Sequence, residues 1–145
     1  MTVLTVNQKA RFDYEILETY EAGIALFGFE VKSVQNGGAN LAGSFVTIRG
    51  GEAWLLNAAI APYQSRNTPA GYDPVRSRRL LLHKSELNEL IGKTAQKGLT
   101  LVPLRVYTKG PRIKLEFALA RRRKKYDKRE MIKKRDIERE TGRNL

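Results

Sequence analysis

Arg76, Arg78, Arg79 and Lys84 crowd around the apolar triplet Leu80-Leu81-Leu82. Cations at that density suit phosphate contact, because each can neutralise a backbone phosphate and release condensed counterions. The same residues also read as a basic loop leading into a core strand. The run Arg121-Arg122-Arg123-Lys124-Lys125 is a second, denser cationic stretch. Glu15, Glu18 and Glu21 lie close together, as a pair of metal-holding carboxylates would. On a strand, however, Glu15 and Glu18 point to opposite faces, and no His or Asp-rich partner accompanies them. Glu21 reads better as an acceptor for an RNA base edge or a neighbouring Arg.

Much other chemistry is excluded. There is no cysteine, hence no disulfide, no thiolate nucleophile and no cysteine-based metal site. The single histidine, His83, rules out a His–His acid–base pair or a two-His zinc motif. A Ser–His–Asp triad would have to use His83, which reads instead as a residue capping or flanking a helix. Gly37-Gly38 and Gly50-Gly51 lack the downstream Lys-Ser/Thr of a phosphate loop. The expectation is a protein that is not an enzyme, with no cofactor and no metal; a carboxylate-only, magnesium-dependent nuclease is the enzymatic rival.

The 27 Lys and Arg outweigh 15 Asp and Glu, for a net charge of +12 in 145 residues. That excess implies a polyanionic partner, a nucleic acid or an anionic membrane surface. No apolar run is long enough to span a bilayer, and no signal-peptide pattern is visible. A cytoplasmic protein is expected.

The length suits one domain with an appended tail. Residues 121–145 carry 12 Lys/Arg and 5 Asp/Glu but few large apolar side chains. Such a segment cannot offset its own ordering entropy. A boundary is therefore expected near Ala120, with a folded body at 1–120 and a basic tail at 121–145. Asp127 and Glu130 in the tail stand at capping-box spacing, as in a helix that forms on a partner.

The body reads mostly as strand. Tyr14–Tyr20 is β-rich, with Tyr14, Ile16 and Tyr20 on one face; Glu21-Ala22-Gly23 reads as a turn. Residues 44–49 and 52–60 flank Gly50-Gly51, a strong hairpin signal. Arg79–Leu82 is a short strand candidate. Residues 100–107 and 112–120 form a second hairpin, in which Pro103 demands an edge or a bulge. Apolar spacing places one helix on Phe27, Val31 and Val34 and another on Leu87, Leu90 and Ile91. The fold expected is mainly β, an OB-like antiparallel barrel with two or three helices. Composition leaves two binding classes open, an RNA-binding adaptor and a ribosomal protein.

Several blocks carry a resemblance. They include Asn7-Gln-Lys-Ala-Arg11, Tyr20-Glu-Ala-Gly-Ile24, Glu30-Val-Lys-Ser33, Asp73-Pro-Val-Arg76, Leu80-Leu-Leu82 and Tyr126-Asp-Lys-Arg129. In order and spacing the chain resembles small protein B, the SsrA-binding (tmRNA-binding) protein family of bacteria. The resemblance implies a barrel that binds the tRNA-like domain of tmRNA, with a basic tail disordered in the free protein. It implies delivery of alanyl-tmRNA, carried by EF-Tu with GTP, to stalled ribosomes for rescue and peptide tagging. The tail would enter the empty mRNA channel near the decoding centre of the small subunit and become helical there. By position, Glu21, Leu81 and Lys114 match residues the family uses for tmRNA. Tyr126, Asp127, Lys128 and Arg129, preceded by Arg123 and Lys124, match the start of the ribosome-acting tail. Leu81 would otherwise read as an ordinary core leucine. The chain departs from the family pattern at Phe12, where His is usual, and at Arg122, where Gly is usual.

Overall fold

The computed structural model describes residues 1–64, 66 and 68–143, with the backbone course alone for 125–127 and 138–143. In chain order the elements are β1 (Thr2–Val6), α1 (Ala10–Asp13), β2 (Tyr14–Ile24), α2 (Gly28–Gln35), β3 (Ala39–Asn40), β4 (Phe45–Arg49) and β5 (Glu52–Leu56). There follow β6 (Ala59–Ile60), β7 (Arg78–Leu81), α3 (Lys84–Thr94), β8 (Leu99–Lys109), β9 (Arg112–Arg122) and α4 (Lys125–Arg143).

All the strand pairs are antiparallel, in the order β1-β8-β4-β5-β7-β2-β9, and β9 pairs back onto β8. Six strands thus close into an OB-like barrel, with β1 added outside β8. The short pair β3–β6 stands apart. Leu41, Val46, Leu55, Leu80, Leu90, Leu101, Val106, Leu115 and Phe117 fill the interior. Helix α3 contributes Leu90 to this core, and α2 contributes Val34. A smaller apolar cluster, Ala10 with Val102, Leu104, Ala118 and Ala120, lies beneath α1.

Local sequence explains the joints. Arg49 pairs with Glu52 across Gly50 and Gly51, both at positive φ (62° and 75°), as a two-residue hairpin turn needs. Pro103 is accommodated by a bulge between Pro103 and Arg105, and its carbonyl accepts from Asn7 Nδ2 at 2.9 Å. The stretch expected as one strand over 52–60 is two, because Asn57 turns the chain at φ 62°.

Strand β2 corrects three expectations. Glu21-Ala22-Gly23 is not a turn: these residues pair with Glu116, Leu115 and Lys114, so β2 runs unbroken to Ile24. A long partner strand satisfies the backbone there and overrides the local turn propensity. A bulge at Leu17 shifts the register between Ile16 and Glu18 and reverses the alternation. Tyr20 therefore stacks on Phe117 at 5.6 Å, away from Tyr14 and Ile16, which pack on the cluster under α1. The same bulge brings Glu15 and Glu18 to one face rather than two. Glu18 is spent on Lys93 and on the Tyr20 hydroxyl at 2.6 Å. Among the described residues no group of three or more His, Asp or Glu is placed to hold a metal ion.

The tail follows a helical course from Lys125, so Asp127 lies in the first turn of α4 and not at its N-cap. Lys, Arg, Glu and Met, all good helix formers, carry α4, and its start is tied to α1 through Arg123 and Lys128. Strand β9 runs past Ala120 to Arg122, opposite Tyr14. Among the described residues no helix is long and apolar enough to cross a membrane.

Candidate nucleic-acid interface

Strand alternation divides the basic segment in two. Arg78 is the first residue of β7 and points inward, fully buried. Its guanidinium donates to Glu30 Oε2 from Nε (2.9 Å) and Nη2 (2.6 Å), to the Ala58 carbonyl (2.8 Å) and to the Pro74 carbonyl (3.0 Å). Arg76 holds the other oxygen of Glu30, and the Tyr72 hydroxyl donates to Glu30 Oε2 at 2.8 Å. Burial pushes the Glu30 carboxyl up, but Arg76, the Phe27 N–H, Arg78 and Tyr72 together outweigh it and hold it at about 2. This cluster ties the loop before β7 to α2. Arg78, expected as a phosphate contact, is thereby sealed from solvent, and Arg76, expected as another and 24% exposed, is committed to the same carboxylate. A buried guanidinium must be paired to be tolerated, and Glu30 is the partner.

The next residue points the other way. Arg79 is 52% exposed on its side chain and lies 3.7 Å from Glu52. Leu80 is core, whereas Leu81 is 48% exposed. The reading of Leu81 as an ordinary core leucine is thus wrong. Leu81 stands opposite Gly23 on β2, and Gly23 stands opposite Lys114 on β9. A Cβ at Gly23 would come within 3.2 Å of the Leu81 Cβ. The absent side chain lets Leu81 lie close over β2. Leu81, Gly23 and Lys114 therefore form one row across three strands, continued on β8 by Tyr107.

An open groove of about 800 Å³ runs along this row. It gathers Glu21, Arg79, Leu81, Lys84, Arg112 and Lys114, with His83 at the start of α3. Five of the seven residues expected to hold RNA meet here; Arg76 and Arg78 do not. Lys84 and Arg112 have no ion-pair partner among the described residues. Lys84 opens α3, where its charge adds to the positive end of the helix dipole. His83 occupies the N-cap position and its carbonyl accepts from Leu87 N–H at 3.0 Å.

Glu21 is prepared as an acceptor. The hydroxyl of buried Tyr107 donates to its Oε2, and Lys109 Nζ lies 3.2 Å from Oε1. The Tyr107 hydrogen bond, with Lys109 and against burial, keeps its carboxyl below the ordinary value. Burial and Glu21 push the Tyr107 hydroxyl up, so it remains a donor. Tyr107 and Arg112 are the site residues that sequence reading missed. The hairpin pairs Lys109 with Arg112, and counting back from that turn puts Tyr107 opposite Lys114. Hairpin arithmetic alone carries this signal.

At the tail joint, Arg123 N–H donates to the Asp13 carbonyl (2.8 Å) and its Nε to the Arg11 carbonyl (3.2 Å). Lys128 Nζ lies 2.9 Å from Asp13 Oδ1 and 5.6 Å from the centroid of Phe12. Arg122 stands 5.9 Å over Tyr14. Both departures from the family pattern thus sit where tail meets body. Arg129 is exposed; the side chains of Tyr126 and Asp127 lie outside the described residues.

Known proteins match this chain over nearly its whole length. The family described as SmpB protein matches residues 4–145. The SsrA-binding protein of Thermosynechococcus vestitus is 53% identical, covering 99% of this chain and 94% of its own. That of Mesoplasma florum is 54% identical, covering 94% and 92%. A chain solved under the description "tmRNA-SmpB: a journey to the center of the bacterial ribosome" superposes with a TM-score of 0.70 at 52% identity, covering 86% of this chain and 87% of its own. Matched by that family over residues 4–145 and by such relatives at more than half identity over nearly its whole length, the chain belongs to the SmpB family of SsrA-binding proteins.

Proposed function

We propose that the chain binds tmRNA through the groove and acts on stalled ribosomes through its tail. The row Leu81–Gly23–Lys114, with Glu21 beside it, carries this reading, because it assembles complementary chemistries on one open surface. Arg79, Lys84, Arg112 and Lys114 supply phosphate contacts. Ionised Glu21 accepts from a base N–H or a ribose 2′-hydroxyl, the group that separates RNA from DNA. Exposed Leu81 offers an apolar surface to a base or ribose.

In this reading the body, through Arg122, holds the tRNA-like domain. The tail, with Arg123, Lys124, Tyr126, Asp127, Lys128 and Arg129, enters the mRNA channel vacated on a stalled ribosome. A helix so rich in Lys and Arg suits rRNA phosphates. EF-Tu with GTP delivers the alanyl-tmRNA that the protein accompanies; the protein is an adaptor and performs no catalysis. Sequencing the RNA that copurifies with the protein from its host is the deciding experiment. A dominant tmRNA species is expected; rRNA fragments alone overturn the proposal in favour of a ribosomal protein. Truncation of residues 126–145 is expected to spare tmRNA binding and abolish peptide tagging in a reconstituted stalled-translation system. Loss of tmRNA binding, or normal tagging, overturns the division of labour.

A further inference from the structure

Helix α2 opens on a residue whose side chain does nothing for its cap. Ser, Thr, Asp and Asn are favoured at that position because their side chains accept a backbone hydrogen bond. Here it is Phe27, and the capping bonds involve its backbone: its N–H donates to Glu30 Oε1 at 2.9 Å and its carbonyl accepts from Val31 N–H at 3.0 Å. The ring contributes no core packing to match its size, since Phe27 is 52% exposed.

What holds the ring is rigid and cationic. The Arg76 guanidinium lies 4.0 Å from its centroid and is itself clamped by Glu30, by the Ser77 carbonyl at 3.3 Å and by the Ala25 carbonyl at 3.4 Å. Phe29 flanks the ring at 5.6 Å. Two guanidiniums, Arg76 and Arg78, face the single carboxylate of Glu30, so the cluster beside Phe27 keeps one positive charge. The position also lies near the groove. Ile24 lines it, Ala25 N–H bonds to the Arg79 carbonyl at 2.9 Å, and Phe27 follows within about 11 Å of chain.

We propose that Phe27 is a stacking platform for an unpaired base of the RNA held in the groove. A half-exposed aromatic ring backed by a clamped guanidinium, near a cationic groove, is a surface on which single-stranded bases stack irrespective of identity. The proposal rests on the tmRNA-binding reading and adds a contact to it.

The test measures binding of the full chain to a transcript of the tRNA-like domain of tmRNA. Phe27→Leu keeps apolar bulk but removes the π face. It is expected to lower affinity about five- to hundredfold, with an unchanged melting temperature and an unchanged salt dependence, because no phosphate contact is lost. Phe27→Trp is expected to bind at least as well as the unaltered chain. Unaltered affinity in Phe27→Leu overturns the proposal; so does an affinity loss accompanied by a lower melting temperature or a shallower salt dependence, which would assign the ring to positioning Arg76. If Glu21→Ala and Lys114→Ala weaken binding while Phe27→Leu does not, the platform alone falls. If the unaltered chain does not bind the transcript, the tmRNA reading falls and the platform with it.

Discussion

Arg78 and Arg79 are adjacent in sequence and identical in type, yet they belong to different regions. Arg78 is sealed in the Glu30 cluster, where every donor direction has a partner. Arg79 stands at the groove with one long contact to an exposed carboxylate, of a kind that contributes about 0–1 kcal/mol. The same contrast separates Leu80 from Leu81. One cationic stretch thus supplies both the fastening of the β7 approach and the surface it presents. Cationic density along a chain reports total charge; the pleat of β7 and the position of one buried acid decide which charges reach a partner.

The largest effect that would break this contrast is on stability. Arg78→Ala removes one partner of a buried ion pair and should cost about 3–5 kcal/mol, whereas Arg79→Ala should stay within about 0.5 kcal/mol. Urea unfolding of both variants measures the difference. Equal costs would erase the division of the basic segment.

Acid titration sharpens the inner region. The Glu30 carboxyl is held at about 2, below its ordinary 4.5. A depressed carboxylate stabilises the fold above its unfolded-state value and loses that contribution as pH falls through the folded one. Stability of the order of 3 kcal/mol should therefore disappear between about pH 5 and pH 2. Glu30→Gln, less stable at neutral pH, should show a flatter profile across that window; calorimetry over the pH series decides.

The outer region is tested by affinity. Glu21→Ala and Lys114→Ala should each weaken tmRNA binding by about 1.5–3 kcal/mol, the cost of a lost charged hydrogen bond, with little change in melting. Because Leu81 is half exposed rather than core, Leu81→Ala also belongs to this test and should cost well under the roughly 2–5 kcal/mol of a buried leucine. Wild-type binding in all three variants would remove the groove from RNA recognition.

The smallest effect is in salt dependence. Arg79→Ala and Lys114→Ala should each reduce the slope of log affinity against log salt by about 0.7–0.9, one phosphate contact. Arg78→Met, measured below its melting range, should leave the slope as it was. A reduced slope in Arg78→Met would place that guanidinium on the RNA after all.

Much of the frame was legible in the chain alone. The two hairpins, at Gly50-Gly51 and around Gly110, the helices α2 and α3, and an edge or a bulge at Pro103 all follow from turn chemistry and apolar spacing. The cationic excess pointed to a polyanion, and the absence of cysteine with a lone histidine removed whole classes of chemistry. Local charge and position in a familiar series of blocks point to Glu21, Lys84 and Lys114.

Only the tertiary structure decided which of those residues share a surface. The bulge at Leu17 reverses a face of β2, an effect that period-two counting cannot see. Glu30 lies 46 and 48 residues before the arginines it binds, so the burial of Arg78 and the clamping of Arg76 depend on a contact between distant segments. Gly23 read locally as part of a turn, but its missing Cβ matters because β7 arrives beside it with Leu81. Local sequence encodes backbone preference and periodicity; burial, pairing and close approach are properties of segments brought together, and they exist only once the barrel closes.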